Sequence, residues 1–260
     1  MNARPSLKQR LLYIIGWGLC AAFVIGLRAD ALLQPVPAAF PEDRLRVAID
    51  PSYPPFAFYA EDAITGLDVD LAYALGEQLN LPVDLQLLGI DALYDALRDR
   101  QVDVIISTLQ PENWRTGDVR YTQPYFDAGL VLIGNSGLTT LQALPGHSLA
   151  YEFGSAADAE ARIWSRRIAA FETQPYELPA HALDAARLNH ADAALVDAIT
   201  ARQYLQDHPD WDAELHQVTH VPFVIAVHIE ETGTFRAVNA GLGDLLKSGI
   251  VDQIILRWLG

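Results

Sequence analysis

The chain has a single cysteine, Cys20, and it lies near the N-terminus. That excludes an internal disulfide, a cysteine-ligated zinc and thiol catalysis in the rest of the chain. Positive charge is also scarce, with 18 Lys and Arg against 33 Asp and Glu and a formal net charge of −15. Arg4, Lys8, Arg10 and Arg28 precede residue 40, where Asp30 is the only acid, so the remainder holds 14 basic and 32 acidic residues, a net of −18. A body that acidic lacks the basic patch that nucleic acid or an anionic lipid surface requires. No HExxH pair, Walker loop, nucleophile elbow or dinucleotide fingerprint is present. The seven histidines, at 147, 181, 190, 208, 216, 220 and 228, follow no metal-ligand spacing and read as surface or capping residues. No cofactor, metal or catalytic group is assigned.

What is present is apolar: 51% of the residues are hydrophobic, enough for a packed core. An uncharged run, LLYIIGWGLCAAFVIGL at 11–27, comes after a basic N-terminus. As a helix it spans about 25 Å, which suits either a long signal peptide or a short membrane anchor. Ala29-Asp30-Ala31 fits a small-x-small cleavage site. Either way 1–31 keeps its basic end in the cytoplasm and exports the remainder of the chain. Residues 32–43, with Pro35, Pro37 and Pro41, read as a linker.

From 44 onward the pattern predicts β-α-β-α-β, hence a parallel sheet with helices on its faces. Asp68 and Asp91 are the expected caps of the two helices. The stretch 103–125, DVIISTLQPENWRTGDVRYTQPY, is the centre of the chain. An apolar strand at 104–106 opens into Ser107 and Thr108, and Arg115 comes seven residues after Thr108. A hydroxyl at a strand end with an arginine just beyond it suits a carboxylate, because the guanidinium fork donates two parallel hydrogen bonds. A plain surface arginine is the competing reading. The pattern then repeats: DALRDRQVDV at 95–104 matches DAARLNHADA at 184–193. Five residues beyond Asp103 and Asp192 stand Thr108 and Asp197. Two similar helix-then-strand units would thus offer Arg115 and Thr108 to a carboxylate and Asp197 to an amine, a clamp for a zwitterion. Gly154 and Ser155 open a helix expected over 156–170, either as an anion site or as a simple cap. Tyr53 and Phe56, in the proline-rich loop DPSYPPF at 50–56, line a pocket or belong to the core. Crossings between two lobes are expected near 131–136 and 220–224.

The ordered set DPSYPPF at 50–56, GLDVDL at 66–71, 103–115, 119–125, DAALVD at 192–197 and RWLG at 257–260 resembles the extracytoplasmic solute-binding proteins of polar amino-acid ABC transporters over residues 44–260. The resemblance implies a two-lobed α/β clamshell, the type II periplasmic-binding-protein or Venus flytrap fold, with a two-strand hinge behind an N-terminal hydrophobic helix. It implies a first lobe from 44–132 and 223–260 and a second from 133–222. Carried over by position, Arg115 pairs with a ligand α-carboxylate, and Thr108, Ser155 and the backbone N–H of Ala156 donate to it. Asp197 takes the α-amino group, with acceptors near Gln110. Tyr53 walls the pocket, and Asp50 stands where some members contact a polar or cationic side chain. Gln110 departs from the family's small hydroxyl residue and Glu112 from its threonine, and Glu112 is placed to pair with Arg115. The implied partners are an amino acid or related zwitterion and an ABC permease, with membrane contact through 11–27 if uncleaved. A monomer in the periplasm or on the outer face of the membrane is expected. Two alternatives stand beside this: a dehydratase-like enzyme on the same fold, with Glu152 and His181 as candidate acid/base groups, and a membrane-tethered amino-acid sensor.

Overall fold

The computed structural model describes Phe40 and residues 42–260 apart from 136. The expected signal or anchor at 1–31, and most of the linker, lie outside the described residues. Among the described residues no helix is long and apolar enough to cross a membrane.

The chain from Phe40 begins with β1 (Leu45–Ile49), the hairpin β2 (Phe58–Ala60) and β3 (Ala63–Thr65), and helix α1 (Leu67–Leu79). It continues through β4 (Val83–Leu87), α2 (Ile90–Arg98), β5 (Val104–Leu109), β6 (Val119–Tyr121) and β7 (Phe126–Asp127). Next come β8 (Leu130–Ile133), β9 (Ser148–Glu152), α3 (Ala156–Trp164), β10 (Glu172–Tyr176), α4 (Pro179–Arg187), β11 (Ala193–Asp197), α5 (Ala198–Asp207) and β12 (His216–Gln217). It closes with β13 (Pro222–His228), α6 (Thr232–Lys247) and α7 (Ile250–Leu259).

These strands form two main sheets, one per lobe. The first runs β4-β1-β5-β13-β6, with β7 also on β13, and the second runs β10-β9-β11-β8-β12. In each, the early strands are parallel: β1 with β4 and β5, and β9 with β10 and β11. The crossing strand is antiparallel to them, β13 against β5 and β8 against β11. This is the two-lobed α/β architecture expected from the sequence. Its central strands read as unbroken apolar runs because helices cover them: Val104, Ile105 and Ile106 are buried, as are Ala193, Ala194, Leu195 and Val196.

The internal repeat has a structural meaning. After α2, Arg100 adopts a left-handed φ of 56°, and after α4, Asn189 adopts one of 60°. Asp103 then accepts the backbone N–H of Arg46 at 2.9 Å, and Asp192 accepts that of Ser148 at 2.8 Å. In both units the aspartate before the strand holds the start of the parallel neighbour.

Several sequence expectations need correction. The division at 132/133 falls inside β8, which pairs with β11 from Leu130 to Ile133. β7 still pairs with β13, and β12 with β8, so the crossings lie at 128–129 and 218–221 rather than at 131–136 and 220–224. We therefore place the start of the second lobe at Leu130. The helix expected over 156–170 ends at Trp164. Neither Asp68 nor Asp91 caps its helix; Gly66 and Gly89 occupy the cap positions without a side-chain bond. Asp68 is turned inward instead.

The crossings are tied to each other. Asp127 accepts the N–H groups of Gly129 at 3.0 Å and Val221 at 2.8 Å, and its other oxygen meets His220. Leu130 donates its N–H to the Thr219 hydroxyl at 2.8 Å. The approach is so close that a Cβ on Gly129 would sit 1.9 Å from the Thr219 carbonyl oxygen. Gly129→Ala must push the crossings apart, and we expect a loss of about 2 kcal/mol or more. At this domain size that lowers the melting temperature by roughly 4–8 °C in calorimetry, and an unchanged melting temperature would show that the crossings yield freely.

Candidate functional site

In open α/β sheets, ligands lie beyond the carboxyl ends of the strands. The end of β5 is unusual there. Thr108 has a φ of 48°, a left-handed conformation that a β-branched residue rarely takes. Its N–H is shared between the Asp68 carboxylate at 3.0 Å and the Tyr125 hydroxyl at 3.2 Å, and Tyr125 donates to the other Asp68 oxygen at 2.8 Å. Asp68 is completely buried. Burial pushes its carboxyl up to about 7, although the bonds from Tyr125 and Thr108 pull it down. The buried Tyr125 phenol is driven well above its ordinary value by the same desolvation and by the Asp68 charge.

Beside this strand end lies a cavity of about 550 Å³. Its lining brings together Thr108, Gln110 and Arg115, with Asp91, Tyr94 and Glu112. Arg115 ends a short 3-10 turn, Asn113–Arg115. Its guanidinium is sandwiched between the rings of Tyr94 and Trp114, with 3.9 Å to each centroid. Its Nε donates to Glu112. Such stacking fixes the plane of the fork and leaves its edge for hydrogen bonding. The expected Glu112–Arg115 pair is therefore formed.

Asp50 and Tyr53 stand on the loop after β1. The Asp50 N–H is held by the buried Ser107 hydroxyl at 3.1 Å, and its carboxylate accepts the Ser52 N–H at 3.1 Å. Tyr53 is half-exposed and stacks on Phe56 at 5.6 Å. Phe56 in turn meets Phe126 and Phe223 of the crossing strands edge-on, so it is core while Tyr53 faces out. The Tyr53 phenol is raised first by burial and then by the negative charge of Asp197.

On the second lobe, Asp197 ends β11 and caps α5. One oxygen accepts the Thr200 N–H at 2.9 Å and the other the Thr200 hydroxyl at 2.7 Å. An ionised carboxylate has about four acceptor positions, so two remain for a further donor. Ser155 caps α3: its Oγ accepts from Ala157 at 3.1 Å and Asp158 at 3.3 Å, and donates to the Glu152 carbonyl at 2.7 Å. Its proton is committed in this state, so Ser155 serves as the helix cap, and Ala156 is the first helical residue. Buried Asp158 accepts the Gly154 N–H and two bonds from Arg162, which hold its carboxyl below the usual range. Glu152 and His181, the enzymatic candidates, share no hydrogen bond among the described residues. Also among the described residues, no cluster of His, Cys, Asp or Glu is arranged to hold a metal.

Sequence reasoning missed the Asp68–Tyr125 pair and the aromatic sandwich. The tyrosine of QPY and the first aspartate of GLDVDL were visible, but their 57-residue separation hid the contact. Nothing in the sequence pointed Tyr94 at Arg115.

With this geometry in place, the chain belongs to the bacterial extracellular solute-binding proteins, family 3, whose profile matches residues 45–260. It is 25% identical over 228 residues to the arginine-binding extracellular protein ArtP of Bacillus subtilis, covering 83% of this chain and 86% of that protein. It is 24% identical over 261 residues to the L-cystine-binding protein TcyJ of Escherichia coli K12, covering 97% of this chain and 96% of that one. The fold matches the unliganded open L-cystine solute receptor of Neisseria gonorrhoeae with a TM-score of 0.69 at 20% identity, over 84% of this chain and 92% of the receptor.

The raised Asp68 carboxyl makes a signed prediction. A native pKa near 7 against 3.8 in the unfolded chain means that the folded state holds the proton more tightly. Its contribution to stability is then complete below the unfolded value and is lost as pH rises through about 7. The melting temperature should fall between about pH 4 and about pH 7 and level off above, and Asp68→Asn, which cannot ionise, should flatten that slope. An equal slope in the variant would remove Asp68 as its source.

Proposed function

We propose that the chain is the extracytoplasmic substrate-binding component of an ABC transporter, closing on an amino acid or similar small zwitterion and delivering it to the permease. One observation carries the reading. The end of β5 presents Thr108 to a cavity whose lining also holds Arg115, and the equivalent end of β11 presents Asp197. A cationic fork on one lobe and a carboxylate on the other match the two ends of a zwitterion. Glu112 already pairs with the Nε edge of Arg115, so closure is favoured when a ligand carboxylate takes the terminal nitrogens of that fork and its amine partners Asp197. The relatives' names, arginine-binding and L-cystine-binding, support an amino-acid ligand. In this reading Gln110, Tyr53 and Asp50 shape the pocket, and the α3 N-terminus at Ser155 and Ala156 faces the ligand carboxylate. The crossings at 128–129 and 218–221 act as the hinge. The protein works as a monomer, freed or anchored through 11–27, and as a binder rather than an enzyme.

The test is thermal unfolding of the purified protein against a panel of amino acids and related zwitterions. A ligand at about a hundred times its dissociation constant adds about 2.7 kcal/mol, which raises the melting temperature by roughly 5–10 °C. Arg115→Ala should weaken the bound ligand by about a hundredfold or more, and unchanged affinity would sink the site assignment. Asp197→Asn preserves the cap, since Asn caps as well as Asp. It should therefore weaken amino acids far more than the matching carboxylic acids without the amine. Equal loss for both would count against an amine contact.

A further inference from the structure

The cavity at the end of β5 carries more negative than positive charge. Its lining holds the carboxylates of Asp91 and Glu112 and one cation, Arg115. The cation is already engaged. Its faces are covered by Tyr94 and Trp114, and its Nε edge is taken by Glu112. Among the described residues its two terminal nitrogens have no other partner, so they are what remains to receive a ligand carboxylate. An end-on fork made of those two nitrogens is still bidentate. Glu112 does not block the site; it cancels the charge that makes Arg115 attractive to any anion. On this wall the two carboxylates thus outnumber the single guanidinium.

We infer that Glu112 is a specificity-determining residue that sets the charge of the ligand: the site takes an amino acid with a second positive charge and rejects one with a second carboxylate. The inference rests on the proposed amino-acid site. A neutral zwitterion leaves the assembled site negative, because its own charges cancel and the protein's do not. A cationic side chain or second amine relieves that excess, whereas an acidic side chain deepens it in a space that closure would desolvate. Building in repulsion of the wrong ligand is an efficient route to discrimination, since specificity is a difference between two affinities. The arrangement comes from a glutamate three residues before Arg115 that pairs with it.

The experiment separates charge from position. Glu112→Gln keeps an oxygen that can accept from Arg115 Nε but removes the charge, while Glu112→Ala removes both. Dissociation constants for glutamate, glutamine, lysine and arginine are measured calorimetrically in the wild type and both variants, at low and at raised salt. Wild type should bind lysine or arginine and reject glutamate. Both variants should shift the preference toward glutamate, relative to the cationic ligands, by at least about tenfold, with the larger shift at low salt. A preference that moves only in Glu112→Ala would assign Glu112 a positioning role and overturn the charge filter. A preference unchanged in both variants would also overturn it while leaving the amino-acid site intact. Failure of every amino acid to bind wild type and both variants would instead remove the site on which the inference stands, and the inference with it.

Discussion

The geometry of the candidate site depends on a buried carboxylate behind its wall. Asp68 sits in the first turn of α1 and accepts from the Thr108 N–H on β5 and from the Tyr125 hydroxyl just before β7. Three segments that are remote in sequence meet on one side chain. Its two bonds hold Thr108 in a left-handed backbone inside β5, one residue before the strand ends at Leu109. Left-handed β-branched residues persist only where the surroundings over-determine them. Here the surroundings are two charge-assisted bonds in a dry environment, where an unmet donor would be expensive. The same dryness raises the Asp68 carboxyl, so the interaction that shapes the site is also one whose protonation state changes near neutrality.

The second organising feature is repetition. Both lobes use a helix, a left-handed residue, an aspartate that secures the neighbouring strand, and a strand with a polar residue at or next to its end. In both, the strand that has just crossed between lobes lies antiparallel beside the site strand: Val224 stands opposite Leu109, and Leu130 opposite Asp197. The polar strand ends are thus placed next to the crossings, where a small rotation would alter their separation without disturbing either core. That location comes from topology alone and does not require loops of special length.

Much of this is legible in the sequence, and the misses have physical causes. The repeat is visible because it is local: aspartate, helix spacing and apolar strand all fall within about ten residues. Thr108, Gln110 and Arg115 group together for the same reason and do share one cavity wall. The hairpin of β2 and β3 escapes a sequence reading because it turns through Glu61 and Asp62, with Glu61 at a left-handed φ of 55° and no glycine to announce it. β10 escapes because Pro175 interrupts it, and it tolerates the proline only as the edge of its sheet. The crossing is expected a few residues late because β8 is apolar throughout and the sequence does not say which sheet receives it. Asp68 reads as a cap because acids crowd helix starts; only the fold shows that a partner 57 residues away claims it.

The second lobe's candidate groups already have structural duties. Asp197 and Ser155 both cap helices, and both do so through the oxygens that a ligand would address. This is economical, since a capping carboxylate is held rigid by its own helix and presents its unused lone pairs in a fixed direction. It also orders the two groups. Asp197 accepts two bonds and has acceptor positions to spare, so an ammonium can join without breaking the cap. Ser155 has given its only proton to the Glu152 carbonyl, so a carboxylate arriving at α3 would be met first by backbone N–H groups at the helix start. On the proposed site, the two ends of a zwitterion would therefore be recognised unequally on this lobe: the amine by a dedicated charge, the carboxylate by the helix end, with Arg115 supplying the opposing charge from the other lobe.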